Sequence, residues 1–150
     1  ASDLTRVFYL GTVPREEREM AMTASGCVAA AKEAMKPGVS IAEINRICEG
    51  YIRDSRFGKF LLHSSGHCIG LNVVSIPPYT MKPMKTEARH GVAVETECIP
   101  MTWKREWSPF ILSFRMEDEV LVTEDGAEWI TGPGEPVIEW GKPLTGDMEI

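Results

Sequence analysis

The sequence predicts a layered α+β domain in which two helices precede a set of antiparallel strands. Apolar residues recur every three or four positions over much of the first half of the chain, whereas they alternate with polar residues in several segments of the second half. The first period is typical of a helix with one buried face, and the second of a strand with one buried face. Because helices and most strands occupy separate parts of the chain, a parallel βαβ arrangement is not expected.

The first elements are a short strand and two helices. Residues 5–10 are rich in β-branched and aromatic side chains and predict a strand. Pro14 opens the first helix and Pro37-Gly38 ends it. The predicted buried face of that helix consists of Met20, Ala24, Val28, Ala31 and Met35. A capping box from Ser40 to Glu43 begins a second helix, which is expected to end near Gly58.

The second half of the chain predicts strands over residues 92–99, 110–117, 119–123 and 127–131, with a hairpin turn at Asp125-Gly126. The run Ile76-Pro77-Pro78 is expected to interrupt regular structure. Proline and glycine are frequent from Gly132 onward. The predicted organisation is therefore one folded portion, residues 1–131, followed by an extended tail, residues 132–150.

The composition is that of one soluble globular domain, because 150 residues with 43% hydrophobic and 25% charged side chains are ordinary values. The formal net charge of -6 argues against nucleic acid or an anionic membrane as a partner. No apolar run approaches membrane-spanning length. The four cysteines have no CxxC spacing, so they are predicted to be reduced thiols of a cytoplasmic protein.

Four residues carry groups that bind metals and lie where predicted strands could converge: Asp3, His67, Glu95 and Glu117. An ionised carboxylate on a buried strand needs a counter-charge, which a divalent cation would supply and Arg115 could supply in part. Carboxylates with one imidazole suit manganese, iron, cobalt or zinc. Two cations bridged by carboxylates would activate a shared water.

Each of these residues also has an ordinary structural interpretation. Asp3 alone is typical of a strand start or a cap, and His67 alone is typical of a hydrogen-bonded core histidine. Glu117 could be a surface residue paired with Arg115, and Glu95 could be exposed at the edge of a sheet. Glu97 lies on the same predicted face as Glu95, so either could be the ligand.

Four segments, taken in order, resemble motifs of the pita-bread metallohydrolase family, which includes creatinase, aminopeptidase P, Xaa-Pro dipeptidase and methionine aminopeptidase. Residues 3–8 read DLTRVF and resemble D-[LI]-T-R-T-F, and residues 63–71 read HSSGHCIGL and resemble H-G-x-G-H-x-[IL]-G-L. Residues 93–96 read AVET and are similar to the family's next glutamate strand. Residues 115–126 read RMEDEVLVTEDG and resemble R-[IV]-E-[DE]-x-V-[LV]-V-T-E-D-G.

The resemblance implies a curved antiparallel sheet flanked by helices in a homodimer, with the N-terminal half of the fold missing from this chain. It implies two divalent cations and hydrolysis of an N-terminal peptide or amide bond in a small peptide or other small molecule. Asp3, His67, Glu95 and Glu117 match the family's ligands. His63 would contact the substrate and its developing negative charge.

Two further catalytic roles are predicted beside the ligand set. Glu95 would relay a proton from the activated water, although a residue of the missing half could do so instead. Arg115 would orient Glu117.

The sequence departs from the family at two places that keep other functions open. The family's first aspartate ligand precedes Asp3 and is not in this chain. Val74-Ser75 stands where Xaa-Pro peptidases have a V-H-[ED] motif. The alternatives are a different reaction on the same scaffold, either creatinase-like C–N hydrolysis or dimethylsulfoniopropionate lyase activity, and a non-catalytic binding half.

Overall fold

A computed structural model of the protein describes residues 1–61, 65–73, 75–78, 91–98 and 114–141, with the backbone alone described for 75–78 and 91–98. The described helices are α1 (Arg15–Ala34), α2 (Ile41–Arg53) and a 3₁₀ turn (Gly58–Phe60). The described strands are β1 (Phe8–Leu10), β2 (His67–Ile69), β3 (Ser75–Pro78), β4 (Gly91–Cys98), β5 (Phe114–Val122), β6 (Ala127–Trp129) and β7 (Ile138–Trp140).

The main sheet has five described strands in the order β3-β2-β4-β5-β6, and every neighbouring pair is antiparallel. This arrangement confirms the α+β prediction. The longest ladder pairs Gly91–Cys98 with the run from Leu121 back to Phe114. Residues 114–122, which the sequence divided between two strands, form one continuous strand. The antiparallel pairing of β4 and β5 places residues from separate predicted segments directly opposite one another.

Strand β3 corrects the expectation that Ile76-Pro77-Pro78 would interrupt regular structure. Residues 75–78 pair with β2 at the edge of the sheet, with a register irregularity between His67 and Cys68. A proline is tolerated in such a position because an edge strand leaves one row of backbone groups without a ladder partner.

Strand β1 is shorter than predicted and belongs to a second, two-stranded sheet. Phe8–Leu10 pairs in parallel with Ile138–Trp140, while Thr5 forms an isolated antiparallel bridge to Glu117 of β5. The division of the chain at residue 131 stays a prediction. Within the predicted tail, however, Val137 is buried in the core and the next residues pair with β1.

Helix α1 buries the face that its apolar period predicted, whereas Tyr51 of α2, expected on the buried stripe of that helix, is 48% exposed. All five predicted core residues of the first helical segment are buried, and α1 packs against α2, β4 and β5. The hydroxyl of Ser40 accepts a hydrogen bond from the Glu43 backbone N–H at 3.1 Å, which caps α2. The Glu43 carboxylate pairs with Arg46 one turn along the helix, and this contact lowers the pKa of Glu43.

Cys27 of α1 and Cys48 of α2 form a disulfide, so the prediction of reduced thiols is wrong for this pair. Their Cα atoms lie 4.9 Å apart, within the usual range for a disulfide. Cys68 is a free, buried thiol, and burial raises its pKa and so favours the neutral form. Disulfides are typical of oxidising compartments, and the cytoplasmic location therefore loses the support of the cysteine argument.

Strand β5 has two different buried faces. Its apolar residues Phe114, Met116, Val120 and Val122 belong to the core. Glu117 and Glu119 alternate with them along the strand and are also buried, although they are carboxylates. The segment before β1 lies against this acidic face, because Glu119 accepts a hydrogen bond from the Asp3 N–H and Glu117 accepts one from the Thr5 hydroxyl. Among the described helices, none is long and apolar enough to cross a membrane.

Candidate metal centre

Three of the four predicted metal ligands come together in the structure. Asp3 lies in the segment before β1, His67 begins β2, and Glu117 lies in the middle of β5. Each offers one donor atom within 4.8 Å of the other two, and His67 and Glu117 are buried. Residues 3, 67 and 117 are far apart in sequence, so the tertiary fold brings their side chains into one group.

The Glu117 carboxylate is oriented by the segment that carries Asp3. Thr5 forms an isolated bridge with Glu117, and its hydroxyl donates to Glu117 Oε2 at 2.6 Å. Arg6 donates from Nη1 to the Glu117 backbone carbonyl at 2.8 Å. Because these contacts begin two residues after Asp3, they connect the placement of the two carboxylates.

The His67 ring is positioned with Nε2 toward Asp3. Nδ1 lies 3.2 Å from the Cys68 carbonyl oxygen, and Nε2 lies 3.4 Å from Asp3 Oδ2. A carbonyl can only accept, so a hydrogen bond at Nδ1 requires the proton on that nitrogen. In the neutral ring the Nε2 lone pair then faces a carboxylate oxygen. Two such acceptors repel unless a proton or a cation lies between them, and the pair therefore fits a metal.

A second buried network supports the strand just beyond Glu117. Asp118 is fully buried and forms an ion pair with Arg6 Nη2 at 2.5 Å, while the Thr131 hydroxyl donates to the same carboxylate oxygen at 2.7 Å. A Cβ at Gly134 would overlap the Arg6 guanidinium, so residue 134 packs directly against this group. The network fixes Arg6, which in turn holds the Glu117 backbone.

The remaining predicted ligand is located by its backbone. Glu95 lies directly opposite Glu117 in the β4–β5 ladder, and Glu97 lies opposite Arg115. Directly opposite positions share one face of an antiparallel pair. This register is consistent with the choice of Glu95 over Glu97. The side chains of β4 are outside the described part of the structure, so the choice stays a prediction.

Two predicted catalytic residues stay predictions. His63 lies outside the described residues. Arg115 is a partly buried residue of β5. The described contacts that orient Glu117 come from Thr5 and Arg6, and the orienting role assigned to Arg115 is not tested by them.

The sequence reasoning missed the supporting roles of Thr5, Arg6 and Glu119. Glu119 accepts a hydrogen bond from the Asp3 backbone N–H at 2.5 Å. Strand alternation places Glu119 on the same face as Glu117, and this was the available signal for a second carboxylate at the site. Thr5 and Arg6 belong to the segment 3–8 that resembles a family motif, but the sequence did not reveal their roles, because their partners lie more than one hundred residues away.

Comparison with known families decides the relationship that the motifs suggested. Residues 1–124 match metallopeptidase family M24. The chain belongs to this family. Membership implies the use of a divalent metal, and Asp3, His67 and Glu117 form a metal-compatible group among the described residues.

Similar proteins support the M24 assignment. The chain is 29% identical over 130 residues to an Xaa-Pro dipeptidase of Pyrococcus furiosus and 28% identical over 130 residues to that of Pyrococcus horikoshii. These matches cover 87% of this chain and 35% of each relative. The chain therefore spans about one third of the length of the curated relatives it matches.

Solved structures establish the fold. An Xaa-Pro dipeptidase from Bacillus anthracis superposes with a TM-score of 0.76 at 27% identity, covering 91% of this chain and 37% of that one. An X-Pro aminopeptidase from Thermotoga maritima superposes with a TM-score of 0.79 at 24% identity, covering 92% and 37%. The predicted pita-bread fold is confirmed, and this chain corresponds to part of it.

Proposed function

We propose that the protein is a metal-dependent exopeptidase that hydrolyses the N-terminal bond of small peptides, as an Xaa-Pro dipeptidase or aminopeptidase does. The observation that carries this proposal is the group formed by Asp3, His67 and Glu117, whose donor atoms lie within 4.8 Å of one another. The proposal is further supported by membership of a metallopeptidase family and by similarity to Xaa-Pro dipeptidases.

We infer that the complete centre would hold two divalent cations, such as manganese, iron, cobalt or zinc. One imidazole with several carboxylates is the ligand chemistry that these ions accept. Glu95 would complete the set on this chain, since it lies opposite Glu117 in the ladder. The buried position of Glu117, 2% exposed, makes a nearby positive charge favourable.

Bound cations would supply an activated water and polarise the scissile carbonyl. Residues of this chain would transfer the proton, contact the developing negative charge and orient a metal ligand. Glu95 would accept a proton from the attacking water and deliver it to the leaving amine. His63 would donate a hydrogen bond to the oxygen that becomes negative. Arg115, together with the Thr5 hydroxyl, would hold Glu117 in the orientation that binding needs.

Metal binding and peptide hydrolysis by the full-length protein test the proposal. We expect about two equivalents of bound transition metal, and cleavage of Xaa-Pro dipeptides that a chelator abolishes. Glu117→Gln should weaken metal binding by more than the ~10–100-fold typical of residues that only support a ligand. Glu124→Gln, an exposed glutamate just beyond the same strand, is the matched control and should behave as the wild type.

Two outcomes would replace this proposal. Metal binding without cleavage of any dipeptide, combined with turnover of creatine or dimethylsulfoniopropionate, would assign a different reaction to the same scaffold. Full-length protein that binds no transition metal at all would assign a non-catalytic binding role.

The homodimer, the cytoplasmic location and the absence of nucleic-acid or membrane partners stay predictions. Light scattering after size-exclusion chromatography tests whether the full-length protein is a homodimer.

A further inference from the structure

Glu119 is a buried carboxylate that has no role in the ligand set described above. It is 5% exposed and lies two positions beyond Glu117 on the same face of β5. Its Oε1 accepts the Asp3 backbone N–H at 2.5 Å, and it is outside the group of donor atoms that lie within 4.8 Å of one another. A buried carboxylate is costly unless it is well hydrogen-bonded, so this short contact is a strong determinant of its position.

The backbone N–H and carbonyl of Glu119 are both hydrogen-bonded to residues that follow β6. Its N–H donates to the Thr131 hydroxyl at 3.0 Å, and its carbonyl accepts from the Ile130 N–H at 2.9 Å. The Thr131 hydroxyl also donates to the buried Asp118 carboxylate. Both backbone groups of Glu119 are therefore bonded to residues that directly follow β6, and its carboxylate is a fixed acceptor.

The position of the Asp3 backbone depends on its hydrogen bond to the Glu119 carboxylate. It precedes the first bridge of its segment, which is formed by Thr5, and its side chain is 29% exposed. The backbone bond to Glu119 anchors residue 3 while the Asp3 carboxylate lies 3.4 Å from His67 Nε2. A shift of the backbone at residue 3 would carry that carboxylate away from the imidazole and from Glu117.

We propose that Glu119 is a positioning residue for the metal centre: through the Asp3 backbone N–H it holds the Asp3 carboxylate beside His67 and Glu117. The inference rests on the proposed metal site and adds to it a residue that acts through a hydrogen bond, without itself binding the cation. Its two requirements are an acceptor atom and the reach of a glutamate side chain. Negative charge is not one of them.

Three substitutions in the full-length protein separate these requirements. Glu119→Gln keeps the acceptor and the reach, Glu119→Asp keeps the charge but is too short, and Glu119→Ala removes both. Mn²⁺ affinity is measured by competition with a chelator, and hydrogen exchange of the peptide that contains Asp3 is measured without metal. We expect Glu119→Ala and Glu119→Asp to weaken Mn²⁺ binding by ~10–100-fold and to speed hydrogen exchange at Asp3. Glu119→Gln should keep most of the wild-type Mn²⁺ affinity and most of the wild-type protection from exchange.

Glu124→Ala is the control and should leave affinity and exchange at wild-type values. If Glu119→Ala changes neither readout, or if Gln loses as much affinity as Asp, the positioning role is wrong. Should the alanine variant fail to fold, the comparison of Gln with Asp still decides the question. Wild-type protein that binds no Mn²⁺ would contradict the proposed function, whereas the exchange comparison still tests the Glu119–Asp3 contact.

Discussion

At the residue scale, the site depends on a buried ion pair between Arg6 and Asp118. Asp118 is completely buried and is neutralised by Arg6, whose other guanidinium nitrogen holds the Glu117 carbonyl. Such a pair gives limited net stability, because both ions lose their hydration, yet removing one partner leaves an uncompensated charge. Its role in this protein is to join the segment before β1 to β5, where the candidate ligands lie.

Replacing Arg6 with methionine tests this arrangement. We expect Arg6→Met to lower the free energy of unfolding by about 3–5 kcal/mol, because Asp118 stays buried without its counter-charge. The measurement is urea unfolding followed by circular dichroism. Arg53→Met is the matched control, since Arg53 pairs with Glu49 on an exposed turn of α2 and should cost no more than about 0.5 kcal/mol. Equal effects of the two substitutions would contradict the argument.

At the element scale, the glycines of α2 and of the turn that follows it have opposite roles. Gly50 lies inside the helix, and a Cβ there would meet no atom within 4 Å. Gly58 begins the 3₁₀ turn, and a Cβ there would lie 2.5 Å from the Arg53 carbonyl oxygen and 2.9 Å from its Cα. The close approach of two backbones therefore requires glycine at residue 58, whereas residue 50 has no such requirement.

Alanine at these two positions should shift stability in opposite directions. Gly50→Ala should stabilise the protein by about 0.5–1 kcal/mol, because alanine loses less backbone entropy in a helix. Gly58→Ala should destabilise it, because the backbone of Arg53 cannot move aside as a flexible side chain could. Thermal unfolding of both variants under identical conditions is the measurement. A stabilised Gly58→Ala variant would show that the turn adapts to a side chain.

At the scale of the whole molecule, one covalent bond and one long-range strand pair hold separate parts of the chain together. The Cys27–Cys48 disulfide joins α1 to α2 across 21 residues. The β1–β7 pair joins Phe8–Leu10 to Ile138–Trp140, which are more than one hundred residues apart. Both connections lie outside the sheet that carries His67 and Glu117.

Reduction of the disulfide should lower stability without changing the fold. Closing a loop of this size restricts the unfolded chain and contributes about 3 kcal/mol in the chain-entropy account. Urea unfolding with and without a reductant measures the difference. A Cys27→Ala/Cys48→Ala double variant should be insensitive to the reductant. Peptide mapping without reduction should find Cys68 alkylated after unfolding and the Cys27–Cys48 pair linked; alkylation of Cys27 and Cys48 would contradict the bond.

Local sequence patterns were enough to locate the helices, most of the described strands and three members of the candidate site. Helical and strand periods are local, so α1, the Ser40 cap and β4 could be located from neighbouring residues. The motifs around Asp3, His67 and Glu117 were sufficient to name the family. Where local rules misled, as at Pro77-Pro78, the reason was the edge position of β3, which no local pattern reveals.

The residues that support the site and the two cysteines that are joined could be identified from the folded chain and not from local patterns. Glu119 contacts Asp3 across 116 positions and Thr5 contacts Glu117 across 112, and no sequence period relates residues so far apart. The parallel pairing of β1 with β7 and the approach of Cys27 to Cys48 have the same origin. These contacts follow from how the helices and strands pack together, because burial of their apolar faces fixes the relative positions of distant segments.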